Sequence, residues 1–298
     1  MTPPRHAFSN WVMLSVLVAC WGSAFAMIEV GLQALSPLIL VTGRLAISAV
    51  LLLGVCYAQG NSLKLPWRQW GFFFVLAAVG ICMPFSLISW GQLGVNSGLA
   101  GILMAITPLM TLLLSHFVNK NEHITRLDLL GFLIGFAGIV VLVGPDALGD
   151  LGGAGLIFQL AVIGGAVCYA VNGVITPFNQ VKNTLVTATG TMLAATLIML
   201  LLVLLQTPSG EIRLDFEAAA AVLFLALFST AIPHLVFYRL IDSAGPAFYS
   251  LSGYLIPVWA VVAGVVFLQE RPDWNAYGAL ALILSGIAIS QIGRREPD

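Results

Sequence analysis

Three ionisable side chains fall inside long apolar stretches of the chain: Glu29, Arg44 and His234. Charge within a bilayer is costly, so such residues mark substrate or ion pathways, proton relays or internal ion pairs. Glu29 lies late in one apolar segment and Arg44 early in the next. Both therefore approach the same membrane face, and the spacing predicts an intramembrane ion pair. It is read as a structural salt bridge, with a gate or proton-coupling site as the alternative. His234 is the other titratable group at mid-membrane depth, suited either to substrate contact or to a hydrogen bond within the fold.

Helical spacing places further polar and aromatic residues on shared faces. Ser250, Tyr254 and Pro257 fall at i, i+4 and i+7. Similar pairs are His234 with Tyr238, Ser86 with Trp90, Met104 with Pro108, Trp21 with Phe25, and Tyr169 with Asn172. Buried polar groups must find partners, and lining a wet cavity or bonding between helices serves equally well. The candidate substrate-binding set is Trp21, Ser86, Trp90, Met104, Tyr169, Asn172, His234, Tyr238, Ser250 and Tyr254. Apolar walls with few polar anchors suit a small molecule that has an apolar part; packing or lipid contact is the plainer role for any single aromatic. Pro108 and Pro257 each lie near the middle of an apolar segment. There proline frees a backbone carbonyl one turn earlier, so the pair is read as hinges, with a static kink as the alternative.

These residues need a membrane to position them. Of 298 residues 59% are apolar and 8% charged, with mean hydropathy +1.00. Soluble domains carry about 25% charged residues, so a water-soluble fold is excluded. A bilayer core takes about 20 apolar residues per helix. On that scale spans fall near 11–32, 38–58, 70–91, 98–118 and 128–143, then 157–178, 184–205, 218–239, 246–268 and 275–292. Span five is the short one. Arg5, an apolar run and Ala24-Phe25-Ala26 imitate a signal peptide. The run is too long for an h-region and has a counterpart in the second half, so cleavage is not expected.

With the N-terminus cytoplasmic, inner segments hold Arg5, Lys64, Arg68, Lys120, Arg126, Lys182, Arg239, Arg294 and Arg295, and outer loops hold Arg213 and Arg271. The positive-inside rule selects this orientation, and an even span count returns the C-terminus to the cytoplasm. Trp11, Trp67, Trp70 and Trp274 sit at span ends, as interfacial aromatics do.

The chain also repeats itself. Pro84 and Pro108 are 24 residues apart, as are Pro233 and Pro257, and the two pairs are offset by 149. Within two residues of that offset lie Trp21 and Tyr169, Gly43 and Gly190, Gly131 and Gly278, Gly138 and Gly286, and Glu122 and Glu270. Each half holds an odd number of spans, so the second half is inverted, an arrangement characteristic of transporters. Retention of a duplication for packing alone is the other reading. The units are residues 1–145 and 150–298.

Trp21-Gly22-Ser23, Gly43-Arg44-Leu45, Thr107-Pro108, Ile256-Pro257 and the Glu122 and Glu270 positions carry a family resemblance over about residues 11–292. The chain resembles the EamA-type branch of the drug/metabolite transporter superfamily, and within it the YddG-type exporters of aromatic and other amino acids. The resemblance implies an all-α integral membrane protein of the cell membrane, with ten transmembrane helices as an inverted five-plus-five repeat. It also implies a central cavity enclosed by spans one, three, four, six, eight and nine that opens alternately to each side.

Other chemistries lack their residues. There is no P-loop, H-E-x-x-H or G-x-S-x-G, so neither an enzyme nor a cofactor is expected. Cys20, Cys56, Cys82 and Cys168 all lie in apolar segments and read as packing residues, with no metal site. A net charge of −1 offers no footprint for nucleic acid. Span nine lacks Lys and Arg, which argues against multiply anionic substrates. The expected function is export of neutral or aromatic amino acids by alternating access, the partners being substrate and lipid. Multidrug or cation efflux by proton exchange, and a non-transporting membrane sensor, are the alternatives. A monomer is expected, although Gly94 and Gly98, or Gly131 and Gly135, would also permit close contact between two chains.

Overall fold

The computed structural model describes residues 8–118, 125–149, 154–206, 215–249 and 251–292. Among these residues the secondary structure is helical throughout, with no strand. The helices are α1 Phe8–Leu32, α2 Pro37–Ala58, α3 Trp67–Gly91, α4 Ser97–Val118 and α5 Arg126–Gly149. In the second half come α6 Ala154–Ile175, α7 Thr184–Leu205, α8 running through Phe216–Ala226, Leu227–Ala231 and Ile232–Tyr249, α9 Ser252–Phe267 and α10 Trp274–Ile292. Seven of these runs are long and apolar enough to cross a bilayer, and α9 and α10 add shorter apolar helices.

Helix starts are set locally. Ser36, Asn96, Asn183 and Asp215 cap α2, α4, α7 and α8, each side-chain oxygen accepting from an otherwise orphaned backbone N–H. Within the helices, Thr42, Ser48, Thr111, Thr189 and Thr196 donate their hydroxyls to the carbonyl one turn back. That satisfies a polar group in lipid without any cavity.

Three expected boundaries shift. The fifth helix runs on to Gly149, beyond the short apolar window, because its charged ends are also helical. The eighth runs on to Gly245, which at φ 81° and ψ 166° is not helical, and a second short helical run to Tyr249 follows it directly where a loop was expected. Only a residue without Cβ adopts that conformation at low cost. The main body of the ninth begins at Ser252, after that short run.

Prolines shape the interior. In α3 and α8 the turns just before Pro84 and Pro233 widen into π-helix, over Ala78–Cys82 and Leu227–Ala231. Met83 N–H donates to Ala78 O and Ile232 N–H to Leu227 O, each five residues back. A proline ring clashes with the carbonyl four residues earlier, and one extra residue in the turn relieves that clash. The bulges start 149 residues apart, at the offset seen in the sequence. In α4 the helix breaks into a turn at Ala105 and Ile106, directly before Pro108. Met104 O, which loses its helical donor to Pro108, instead accepts from Thr107 Oγ1 at 2.7 Å.

In the packing, α5 pairs with α10, and α2 pairs with α7. Between them α1 lies on α4, α8 and α9, and α6 lies on α3 and α4. The α5–α10 contact is backbone to backbone: a Cβ on either Gly131 or Gly286 would overlap the other's carbonyl. Gly94 packs on Phe158, Gly98 on Glu270 and Gly135 on Leu109, so these glycines all serve contacts within the chain. Leu129, Leu133, Phe136 and Val140 form an exposed apolar stripe along α5, as a lipid-facing helix requires.

Candidate substrate site

The π-helical turn of α8 gathers the membrane-buried polar groups. Arg44 reaches it from α2 and is 6% exposed. Its Nε donates to Thr230 Oγ1 at 2.8 Å, and its Nη2 donates to Ser229 O at 3.2 Å. Ser229 is four residues before Pro233, which has no N–H to give that carbonyl. The guanidinium carbon also stands 4.0 Å above the centre of the Phe85 ring, a cation–π arrangement. Ser48 Oγ donates to Ala226 O at 3.0 Å, and Ser229 Oγ to Cys20 O at 3.2 Å, so α1 and α2 are both tied to the bulge.

His234 belongs to the same cluster. Its Nδ1 lies 2.6 Å from Thr230 O. A carbonyl only accepts, so Nδ1 carries the proton and, in the neutral ring, Nε2 is left as an acceptor. Tyr169 lies within electrostatic reach of Arg44 and makes an edge-on contact with Phe85, the ring centres 6.4 Å apart. Asn172, one turn further along α6, presses its amide onto Gly80 in the other bulge, where a Cβ would overlap it. Phe85, Tyr169, Asn172 and His234 are all partly exposed, as side chains beside a membrane-interior space would be.

The expected ion pair does not form. Arg44 bonds to Thr230 and Ser229, whereas Glu29 Oε2 accepts from Ser97 N–H at 2.7 Å. Glu270 shares that end of α4: Oε1 accepts from Ser97 N–H at 2.9 Å and from Ser97 Oγ, and Oε2 accepts from Gly98 N–H at 3.0 Å. The reason is local. Each charge finds backbone groups that lack helical partners, the first N–H groups of α4 for the carboxylates and a proline-freed carbonyl for the guanidinium.

The other expected residues are distributed more widely. Trp21 meets Phe237 at a tilt and Tyr249 edge-on, each ring centre 6.4 Å away, in an aromatic group of α1 and α8 apart from Tyr169. Ser86 Oγ approaches Met199 Sδ at 3.9 Å, turning towards α7. Trp90 is 39% exposed and packs on Phe158 at 5.0 Å. Met104 and Tyr254 pack against the central core cluster. Pro108 faces Gly253, so α4 and α9 meet beside both mid-helix prolines, and Pro257 is buried. The side chain of Tyr238 and all of Ser250 lie outside the described residues.

Thr230, Ser229 and Phe85 were not legible as site residues. The signal available was the Pro84 and Pro233 repeat, which marks where the helices must deform but not what docks there. Trp21-Gly22-Ser23 also gains a structural role: Gly22 lies against Trp259 and Ile256 O, and Trp259 Nε1 donates to Ser23 Oγ at 2.9 Å.

Comparison with known proteins supplies the family. The EamA-like transporter family model matches residues 9–144 and again 156–291. An uncharacterized transporter of Archaeoglobus fulgidus is 25% identical over 280 residues, spanning 94% of this chain and 98% of that protein. The uncharacterized inner membrane transporter YedA of Escherichia coli K12 is 25% identical, over 94% of this chain and 90% of its own. A protein of Streptantibioticus cattleyicolor named "Probable terminal-alkyne amino-acid exporter" is 26% identical, over 96% of this chain and 95% of its own. One crystal structure shares the fold with a TM-score of 0.68 at 24% identity, covering 96% of this chain and 98% of that one. With both halves matched and the helices long and apolar enough to span a bilayer, the chain is a multi-pass membrane transporter that belongs to the EamA-like transporter family.

Proposed function

We propose that this transporter exports small metabolites, neutral and aromatic amino acids foremost, by alternating access. The observation that carries the reading is the chemistry gathered at the paired bulges of α3 and α8. One guanidinium, one imidazole and one carboxamide stand among aromatic rings inside the membrane. A few fixed polar anchors on apolar walls suit a small solute with a polar head and an apolar side chain. A relative of nearly the same length named as an amino-acid exporter supports the same class. Residues 1–145 and 150–298 act as inverted five-helix halves of a ten-span protein with both termini cytoplasmic. They rock about Pro108 and Pro257, in an arrangement complete within one chain. The protein acts as a carrier, not as an enzyme.

Counterflow of radiolabelled amino acids in proteoliposomes, with and without a pH gradient, tests this. Exchange of several neutral amino acids is expected. Silence across the panel from folded protein would overturn the substrate class, and flux that requires the gradient would establish proton exchange in place of uniport.

A further inference from the structure

Arg44 is a buried cation that no described anion meets. Among the described residues no carboxylate approaches its guanidinium, since Glu29 and Glu270 are both engaged at the start of α4. Its partners are a hydroxyl, a carbonyl and an aromatic face, none of which carries a formal charge. A membrane-buried charge without a counter-charge is expensive, and it persists where a ligand or a wet pathway supplies the counterpart.

The fork geometry sharpens this. Nε and Nη2 on the side edge are spent on α8, which fixes the plane of the group. Among the described residues Nη1 has no hydrogen-bond partner, and it is not sealed away from solvent. The end edge, Nη1 with the second Nη2 hydrogen, is therefore held rigid and unfilled, and two parallel N–H groups match the two oxygens of a carboxylate. Phe85 covers one face of the guanidinium, and Tyr169 and His234 stand within electrostatic reach. One cation, with no second Lys or Arg beside it among the described residues, suits a single carboxylate better than a phosphate ester.

We propose that Arg44 is the substrate-recognition residue for a carboxylate, so that the solutes of this transporter are apolar or aromatic monocarboxylates, amino acids included. The proposal rests on the transport reading above for its setting, but its test does not. Thermal stability of the purified protein in detergent would be followed with four probes: L-phenylalanine, 3-phenylpropionate, L-phenylalaninamide and phenethylamine. The two carboxylates should stabilise wild-type protein. The amide and the amine, which keep the ring and lose the anion, should bind at least about tenfold more weakly, the loss expected for a charge-assisted hydrogen-bonded pair.

In R44Q the preference for the acids should disappear, and in R44K it should weaken without inverting, because lysine keeps charge and loses the fork. If R44Q does not fold, R44K with the wild-type probe series still decides. Equal protection by acid and amide, no protection by any probe, or an acid preference retained in R44Q would each overturn the assignment. Flux separates the two readings. Carboxylate-selective binding without counterflow leaves Arg44 standing and sinks the exporter. Counterflow that does not distinguish acid from amide does the reverse.

Discussion

Arg44 Nε donates to Thr230 Oγ1 across 2.8 Å, joining residues 186 apart in sequence at a turn widened by Pro233. The same threonine offers its carbonyl to His234. Thr230 is thus a positioning residue for two polar side chains, although nothing in the structure requires it to touch a solute.

Thr230→Val keeps the shape and removes the acceptor. Leaving Arg44 Nε unpaired should cost about 1–3 kcal/mol of stability. Half-saturation for transport should rise while maximal flux changes little, and Thr230→Ser should restore both. Thermal melts in detergent and counterflow kinetics check this, and a T230V protein with unchanged half-saturation would remove Thr230 from the site.

At the start of α4 the two carboxylates are unequal. Glu270 takes Ser97 N–H, Ser97 Oγ and Gly98 N–H, while Glu29 takes one backbone donor, the shared Ser97 N–H, and otherwise meets Glu270 itself. Glu270→Ala should therefore lower the melting temperature more than Glu29→Ala, by a difference worth about 0.3–2 kcal/mol. Equal losses would show that the shared Ser97 N–H dominates. Glu29→Gln should leave flux intact, whereas abolished transport would favour cation efflux coupled to protons.

Between α5 and α10, Gly286 lies against the backbone of Gly131 and Gly135, while Gly278 faces open space. A backbone neighbour cannot swing aside, so Gly286→Ala should destabilise by about 1–3 kcal/mol. Gly278→Ala should be neutral or stabilising by up to about 1 kcal/mol, since alanine favours the helix. Melting curves of the two variants settle the order.

The break in α4 joins Pro108 to Thr107 through Met104 O. Pro108→Ala returns a donor to that carbonyl, so the helix should straighten and flux should fall with folding preserved. Pro257→Ala and Tyr254→Ala should also cut flux. Wild-type counterflow from all three variants would remove the hinge role.

Long apolar segments, positive charges on alternate loops and prolines at a fixed offset were all legible in the sequence, because each is a local demand of the bilayer or the backbone. The helices accordingly begin and end within a few residues of the apolar windows, except where charged ends of α5 stay helical and Gly245 replaces a loop. Partner choice was not legible. Glu29 and Arg44 stand at similar depth on adjacent helices, and one dimension offers no reason to keep them apart. The side chains nevertheless diverge, Glu29 to the unpaired N–H groups of α4 and Arg44 to the carbonyl that Pro233 strips of its donor. Those groups are orphaned locally, by a helix start and by a proline, but the side chains reach them only once the helices are packed together. The sequence determined which residues must leave water and where the helices must bend, whereas the tertiary structure decided which orphaned backbone group each buried charge would satisfy.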